Sequence, residues 1–245
     1  MLDIDDLRSY VFCIFSGTEK QPGTLDLDSL NFLGTGFFVT KNGDAVTAAH
    51  VLPVPDDLDA GRQLYAVLVF DNEEKYCRIL MAVDFSQADL AIFRVQTERE
   101  ANPYFTLSFD DVGNGEDVMA FGVSAHSPYG TEKELRTLKG HITLKHNSGF
   151  AELSFPVPAG MSGGPVLIGT RCVGYLTGSI NSEHTIDRTE EVVQLTNERE
   201  KIEFIEIRQM ITYGIFNPFS TLRGQSFEAL EGRSLEELIT HRNEL

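Results

Sequence analysis

Cysteine is scarce in this sequence of 245 residues, and tryptophan is missing from it. The three cysteines, Cys13, Cys77 and Cys172, are too few and too widely spaced for a disulfide framework. Each is therefore expected to be a small buried hydrophobe. Residues 1–6 also lack the basic and apolar blocks of a signal peptide. Together these absences predict a cytoplasmic protein, since disulfide-poor chains are typical of reducing compartments.

Positive charge is in deficit, with 20 lysines and arginines against 37 aspartates and glutamates and a formal net charge of −17. A surface of this sign repels phosphate backbones and anionic lipid headgroups, so neither nucleic acid nor a membrane is expected as a partner. The sequence also has no run of about 18 apolar residues that could form a transmembrane helix. No residue spacing typical of a metal site occurs, and no metal or cofactor is expected.

The most specific motif of the chain is Gly160-Met161-Ser162-Gly163-Gly164-Pro165. A serine that attacks carbonyls must lie on a tight turn, with backbone N–H groups directed at the developing oxyanion. Glycines on both sides permit that turn and a close approach of substrate, because they carry no Cβ. The apolar run Val166-Leu167-Ile168 then predicts a buried strand that anchors the turn. An ordinary glycine-rich hairpin is the alternative interpretation of this stretch.

A base and a carboxylate that could complete such a site stand earlier in the chain. Thr47-Ala48-Ala49-His50 ends a strand-like run, and Asn42-Gly43 before it predicts a type I′ hairpin that delivers His50. Asp89 directly precedes another apolar run; Asp84 is a competing acid that lacks the Leu-Ala-Ile continuation. The order His, Asp, Ser along the chain is that of chymotrypsin-type triads and differs from the subtilisin and α/β-hydrolase orders.

These motifs resemble those of trypsin-like, chymotrypsin-fold serine peptidases, in particular the bacterial HtrA/Deg-like and related intracellular forms. The matching stretches, which span about residues 34 to 180, are Gly34-Thr35-Gly36-Phe37-Phe38-Val39, Thr47-Ala48-Ala49-His50, Asp89-Leu90-Ala91 and Gly160-Met161-Ser162-Gly163-Gly164-Pro165. The resemblance implies a mainly all-β fold of two six-stranded antiparallel Greek-key barrels with a short C-terminal helix. No PDZ domain fits in the remaining residues, which departs from the HtrA pattern.

The resemblance also implies a division of the chain. The peptidase domain is expected over residues 1–223, with the first barrel at about 8–97 and the second at about 104–215. Residues 224–245 are expected to form a helical tail.

Local patterns after about residue 180 are less specific. Ser234-Leu235-Glu236-Glu237 fits a capping box and predicts the short C-terminal helix. Residues 187–199 are polar and are interpreted as a loop or a short helix. Residues 201–213 mix strand-like alternation with helical spacing, and the pattern leaves both open.

Catalytic roles follow from the resemblance. Ser162 would be the nucleophile, and His50 the base that takes its proton and returns it to the leaving amine. Asp89 would orient the imidazole and stabilise the imidazolium. The backbone N–H groups of Gly160 and Ser162 would form the oxyanion hole.

The resemblance places the substrate pocket at Pro156, Leu176, Thr177 and Gly178. Pro156 stands where trypsin carries an aspartate, so a preference for lysine or arginine is not expected. The apolar neighbourhood favours a small to medium aliphatic residue before the cleaved bond.

Met161 bears on activation. Secreted zymogens carry an aspartate at this position, which pairs with a newly cleaved N-terminus, and the sequence has no Ile-Val-Gly-Gly activation motif. Control is therefore expected from loop ordering, a partner or oligomerisation.

The predicted function is a serine endopeptidase that cleaves a protein or peptide substrate through an acyl-enzyme intermediate. Two alternatives use the same residues: a latent or inactive peptidase fold that binds peptides or a partner, and an esterase. A further interpretation makes the chain one component of a multiprotein stress or defence system, switched on by an activating protein partner.

Overall fold

The computed structural model describes residues 9–21, 23–53, 61–70, 73–85, 88–125, 134–196, 199–225 and 234–244. Its first eight strands are β1 (Val11–Gly17), β2 (Glu19–Gln21), β3 (Thr24–Leu25), β4 (Asn31–Phe38), β5 (Asp44–Ala48), β6 (Gln63–Phe70), β7 (Glu73–Phe85) and β8 (Leu90–Val95). Six of them close a barrel in the order β1-β4-β5-β8-β7-β6, and β2 and β3 form a separate ribbon. Large aromatic side chains fill this barrel, since Phe12 packs on both Phe38 and Phe93.

The remaining strands are β9 (Asp117–Ser124), β10 (Glu134–Lys145), β11 (Ala151–Leu153), β12 (Pro165–Ile168), β13 (Arg171–Thr196) and β14 (Arg199–Pro218). They close a second barrel in the order β10-β11-β14-β13-β12-β9. Neighbouring strands pair antiparallel in both barrels. The mainly β fold with two six-stranded barrels, expected from the sequence motifs, is confirmed.

The hairpin that joins β4 to β5 forms where it was predicted, but its turn is not of type I′. Gly43 has a φ of +88°, whereas Asn42 does not take a positive φ. The N–H of Gly43 donates to the carbonyl of Thr40, and the N–H of Thr40 donates to the carbonyl of Asp44. This is the pattern of a type I turn followed by a left-handed glycine. The Thr40 hydroxyl donates to the Asp44 carboxylate at 2.8 Å, which stabilises the longer loop.

A long hairpin formed by β13 and β14 corrects one expectation and decides between two alternatives for another stretch. Residues 187–199, interpreted as a loop or short helix, lie largely in the two strands, and residues 201–213 are also strand. The two strands pair from Gly174 opposite Pro218 out to Thr196 opposite Arg199. The register shifts between Leu176 and Gly178 and between Thr185 and Thr189. Pairing between the strands nevertheless outweighs the weak local preferences of this polar stretch.

The C-terminal helix α1 (Leu235–Glu244) forms as predicted. Its capping box is complete: the N–H of Ser234 donates to the Glu237 carboxylate at 2.8 Å, and the N–H of Glu237 donates to the Ser234 hydroxyl at 3.1 Å. The apolar face of α1 joins a buried cluster that contains residues of both barrels. No helix among the described residues is long and apolar enough to span a membrane.

Candidate active site

His50 and Asp89 meet because β5 and β8 are antiparallel neighbours. Ala48 at the end of β5 lies opposite Leu90 at the start of β8, so the residues just outside this pair are brought together. The His50 Nδ1 lies 2.8 Å from one carboxylate oxygen of Asp89 and 3.0 Å from the other. The backbone N–H of His50 also donates to that carboxylate, at 3.0 Å. The imidazole is thereby held by its Nδ1, which leaves Nε2 for another partner.

The backbone of Asp89 is unusual. Its φ is +48°, and no other non-glycine residue in the described ranges has a positive φ. Aspartate tolerates this left-handed region better than most residues, because its short polar side chain can bond locally. The N–H of Ala49 donates to the Asp89 carbonyl at 2.9 Å. Asp84, the competing acid, is a residue of β7 whose backbone pairs with Ala91, whereas the Asp89 carboxylate contacts His50.

Ser162 lies on a turn between two left-handed glycines, with φ values of +93° at Gly160 and +84° at Gly163. Thr35 of the first barrel holds this turn on both sides of the serine. Its N–H donates to the carbonyl of Ser162 at 2.9 Å, and its hydroxyl donates to the carbonyl of Gly160 at 2.8 Å. That hydroxyl also accepts the N–H of Val123 at 2.9 Å.

The Ser162 turn packs against the strand end that carries His50. A Cβ added to Gly163 would overlap the Thr47 hydroxyl and would lie 3.0 Å from the backbone nitrogen of Ala48. Glycine is required at this position, because any side chain would push the turn away from β5. The structure thus brings the predicted nucleophile, base and acid to the junction of the two barrels.

Two backbone N–H groups of the Ser162 turn have no hydrogen-bond acceptor in the part of the chain that the structure describes. Among the described residues, no group accepts a hydrogen bond from the backbone N–H of Gly160 or Ser162, and no hydrogen bond joins the Ser162 hydroxyl to His50. The His50 side chain is 46% exposed, so solvent or a ligand reaches it. Catalytic hydrogen bonds are often long in unliganded enzymes and tighten when substrate binds.

The predicted pocket residues differ in what they expose. Pro156 is exposed, whereas the Leu176 side chain is fully buried and its backbone pairs with Gly163 and Gly164. The Thr177 hydroxyl donates to the carbonyl of Ile215 at 3.3 Å. Gly178 is half-buried. The side chain of Met161, which precedes the serine, is fully buried.

Sequence reasoning gave no role to Thr35, Tyr175 or Asn217. Thr35 stands inside a motif that was identified, but nothing local shows that its hydroxyl reaches the serine turn. Tyr175 and Asn217 lie 42 positions apart in the chain and become neighbours only through the pairing of β13 with β14. Strand register is the missing information, and composition does not supply it.

Comparison with known proteins agrees with this geometry. The family model described as trypsin-like peptidase domain matches residues 34–174. The chain belongs to the trypsin-like peptidase family. This match begins in β4 and ends in β13, so it includes all three residues of the predicted triad.

Two individual relatives add detail to the family assignment. Uncharacterized protein y4bJ of Sinorhizobium fredii is 26% identical over 179 residues, which is 72% of this chain and 26% of that protein. The chain therefore spans about a quarter of this curated relative. The solved structure of an HtrA-type protease, AlgW with decapeptide, has a TM-score of 0.53 and 17% identity, and the match covers 96% of this chain and 66% of that one. At this identity the likeness concerns the fold.

Proposed function

We propose that this trypsin-like peptidase is a serine endopeptidase that uses Ser162, His50 and Asp89. The observation that carries the proposal is the His50–Asp89 pair, with Nδ1 at 2.8 Å from the carboxylate, placed beside a serine turn with left-handed glycines on both sides. An acid that binds Nδ1 fixes the tautomer in which Nε2 can accept a proton. The neighbouring serine becomes a nucleophile once its hydroxyl hydrogen-bonds to this Nε2.

In the proposed reaction, His50 takes a proton from Ser162 and then gives a proton to the leaving amine. The Ser162 oxygen attacks the peptide carbonyl as His50 Nε2 takes the hydroxyl proton, and the N–H groups of Gly160 and Ser162 bind the oxyanion. The imidazolium, stabilised by Asp89, then protonates the leaving amine and the C–N bond breaks. Water repeats the sequence on the acyl-enzyme and releases the carboxylate product. No metal or cofactor takes part in these steps.

A protein or peptide is the proposed substrate, and the decapeptide named with the related HtrA-type protease favours it. We place the peptidase domain at residues 1–223, with Pro156, Leu176, Thr177 and Gly178 around the side chain before the cleaved bond. The buried Leu176 can contribute there only through its backbone. A small to medium aliphatic side chain remains the proposed preference.

Regulation is proposed to act through a partner or loop ordering rather than through cleavage of a zymogen. The buried apolar side chain of Met161 offers no charge for a new N-terminus, and the Ser162–His50 contact still has to form. An activating protein of a stress or defence system could supply that ordering. Cys13, Cys77 and Cys172 are in no disulfide, which supports a reducing, cytoplasmic setting.

The test is labelling of the purified protein by a fluorophosphonate probe, beside Ser162→Ala and His50→Ala variants. We expect the intact protein to be labelled and both variants to be silent, because the probe reacts only with an activated serine. Labelling of Ser162→Ala would place the nucleophile elsewhere. A peptide library and a set of p-nitrophenyl esters then distinguish a peptidase from an esterase.

If the purified protein is not labelled, a second experiment tests whether an activating partner is required. The same probe is added to a lysate of the native cell, where an activating partner is present. Labelling that appears only there supports regulation by a partner. Silence in both settings would overturn the proposed activity and favour a peptidase fold that only binds.

A further inference from the structure

The carbonyl of Ala88, directly before Asp89, accepts two hydrogen bonds from the second barrel. The Tyr175 hydroxyl donates to it at 2.5 Å, and the Asn217 side-chain amide donates to it at 3.0 Å. These donors come from positions 87 and 129 residues away in the chain. A backbone carbonyl of the first barrel is therefore fixed by side chains that belong to the other barrel.

The two donors form one unit. Tyr175 of β13 and Asn217 of β14 lie opposite each other in the strand register, and the Asn217 amide lies 3.4 Å from the Tyr175 oxygen. The Tyr175 ring is 1% exposed and packs on Phe219 at 5.5 Å between ring centroids. Its position is thus set by the core of the molecule, and the hydroxyl has little freedom to turn away from Ala88.

Tyr175 remains a donor at neutral pH. Burial, with a smaller contribution from the negative charge of Asp89, raises the pKa of the Tyr175 phenol well above its usual value. The hydroxyl therefore keeps its proton. A hydroxyl fixed in this way can act only as donor towards a carbonyl oxygen.

Tyr175 and Asn217 bind the peptide group between Ala88 and Asp89. The orientation of this peptide group determines the direction of the Asp89 carboxylate. Asp89 has a φ of +48°, a strained conformation for a non-glycine residue that persists only when its surroundings hold it. Contacts within the first barrel hold the Asp89 carbonyl and carboxylate. The preceding carbonyl, on the other side of the strained φ, is held by Tyr175 and Asn217.

We propose that Tyr175 and Asn217 are a positioning pair for Asp89, which fixes the Ala88–Asp89 peptide so that the carboxylate meets His50 Nδ1. The inference deepens the proposed function, on which its kinetic consequence rests. Neither residue contacts substrate in this role. Both act through Asp89, and the pair makes the geometry of the acid depend on the second barrel, where the serine lies.

The test uses Tyr175→Phe, which removes only the hydroxyl, and Asn217→Leu, which removes the amide donor at similar size. Tyr213→Phe is the matched control, because it makes the same chemical change on β14 at a half-buried position. The readout is the proton NMR resonance of the His50 Nδ1–H, assigned by its loss in His50→Ala. We expect this resonance to shift or broaden in Tyr175→Phe and in Asn217→Leu, and to be unchanged in Tyr213→Phe.

Kinetics give the second readout. We expect kcat to fall about tenfold in each single variant and further in the double variant, with KM little changed, because a misplaced catalytic group lowers the rate without weakening substrate binding. Because the two donors share one acceptor, their effects should not add. If Tyr175→Phe does not fold, Asn217→Leu decides, since Asn217 lies outside the buried core.

The outcomes separate the two proposals. Wild-type His50 resonance and wild-type kcat in the double variant would overturn the positioning role. A wild-type protein that neither labels nor cleaves, both when purified and in the native lysate, would overturn the proposed function, whereas the NMR comparison would still decide whether Tyr175 and Asn217 position Asp89.

Discussion

At the scale of single residues, Gly160 offers the most direct test of the oxyanion site. Its φ is +93°, and an added Cβ would lie 2.6 Å from both the Ala125 nitrogen and a ring atom of Phe32. Gly160→Ala should therefore move the N–H that we propose to bind the oxyanion. Loss of one such donor costs about 2.7–4 kcal/mol of transition-state stabilisation. We expect kcat and the rate of fluorophosphonate labelling to fall by about a hundredfold or more.

Gly169→Ala is the matched control for that variant. Gly169 also has a positive φ, of +61°, but nothing lies within 4 Å of an added Cβ. It stands in the turn between β12 and β13, away from His50. The backbone strain should lower its melting temperature while labelling per folded molecule stays at the wild-type rate. Equal loss of labelling in both variants would mean that strain in general, and not the oxyanion site, is responsible.

Thr35 links the two barrels at the serine turn, and its hydroxyl is fully buried. Thr35→Val keeps the volume but leaves the Val123 N–H and the Gly160 carbonyl without this partner. An unsatisfied buried polar group costs about 1–3 kcal/mol, so both stability and kcat should fall. Thr35→Ser, which retains the hydroxyl, should restore most of both. Denaturant unfolding and labelling rates check this, and a Thr35→Ser protein as impaired as Thr35→Val would contradict it.

These residues show which parts of the candidate site can be predicted from the sequence. Ser162, His50 and Asp89 could be predicted because their chemistry demands specific neighbours in the chain, such as the glycines around the serine. Thr35, Tyr175 and Asn217 act across distances of 42 to 129 residues. No local pattern encodes such contacts, because only the closure of two barrels brings the atoms together.

At the scale of elements, helix α1 shows the opposite case, in which a local signal was sufficient. Its capping box satisfies two backbone N–H groups reciprocally, and the motif was readable from four residues. The long β13–β14 hairpin was not readable, because its polar stretch has no strong propensity of its own and becomes strand by pairing with its partner. The predicted turn type between β4 and β5 was wrong for a similar reason, because hydrogen bonds between Thr40 and Asp44 across the loop determine its conformation.

Ser234→Ala tests the cap of α1. The substitution removes the oxygen that accepts the Glu237 N–H at 3.1 Å. Loss of an N-cap side chain costs typically about 1 kcal/mol. We expect the free energy of unfolding to fall by about that amount, measured by denaturant titration. Ser234→Asp should retain most of the stability, because aspartate is also a good N-cap; a larger loss in Ser234→Asp than in Ser234→Ala would refute this explanation.

At the scale of the whole molecule, one buried cluster contains residues of both barrels and of α1, and a second cluster lies within the second barrel. The first of these clusters contains Phe37 and Phe38 of the first barrel, Phe121 of the second and Leu238 of the helix. The apolar contacts between the barrels predict that each barrel is stabilised by the other. The positioning of Asp89 by Tyr175 requires the same arrangement, because the acid and its supports come from different barrels.

Leu238→Ala measures this coupling. The side chain is 3% exposed, and truncation of a buried leucine costs about 2–5 kcal/mol. Leu27→Ala is the control, because Leu27 is 57% exposed and surface changes usually stay within about 0.5 kcal/mol. Hydrogen exchange followed by mass spectrometry should show β5 and β12 losing protection together in Leu238→Ala, since the shared core unfolds as one unit. Loss of protection confined to one barrel would mean that the barrels unfold separately. In that case only the hydrogen bonds of Tyr175 and Asn217 would make the positions of His50 and Asp89 depend on the second barrel.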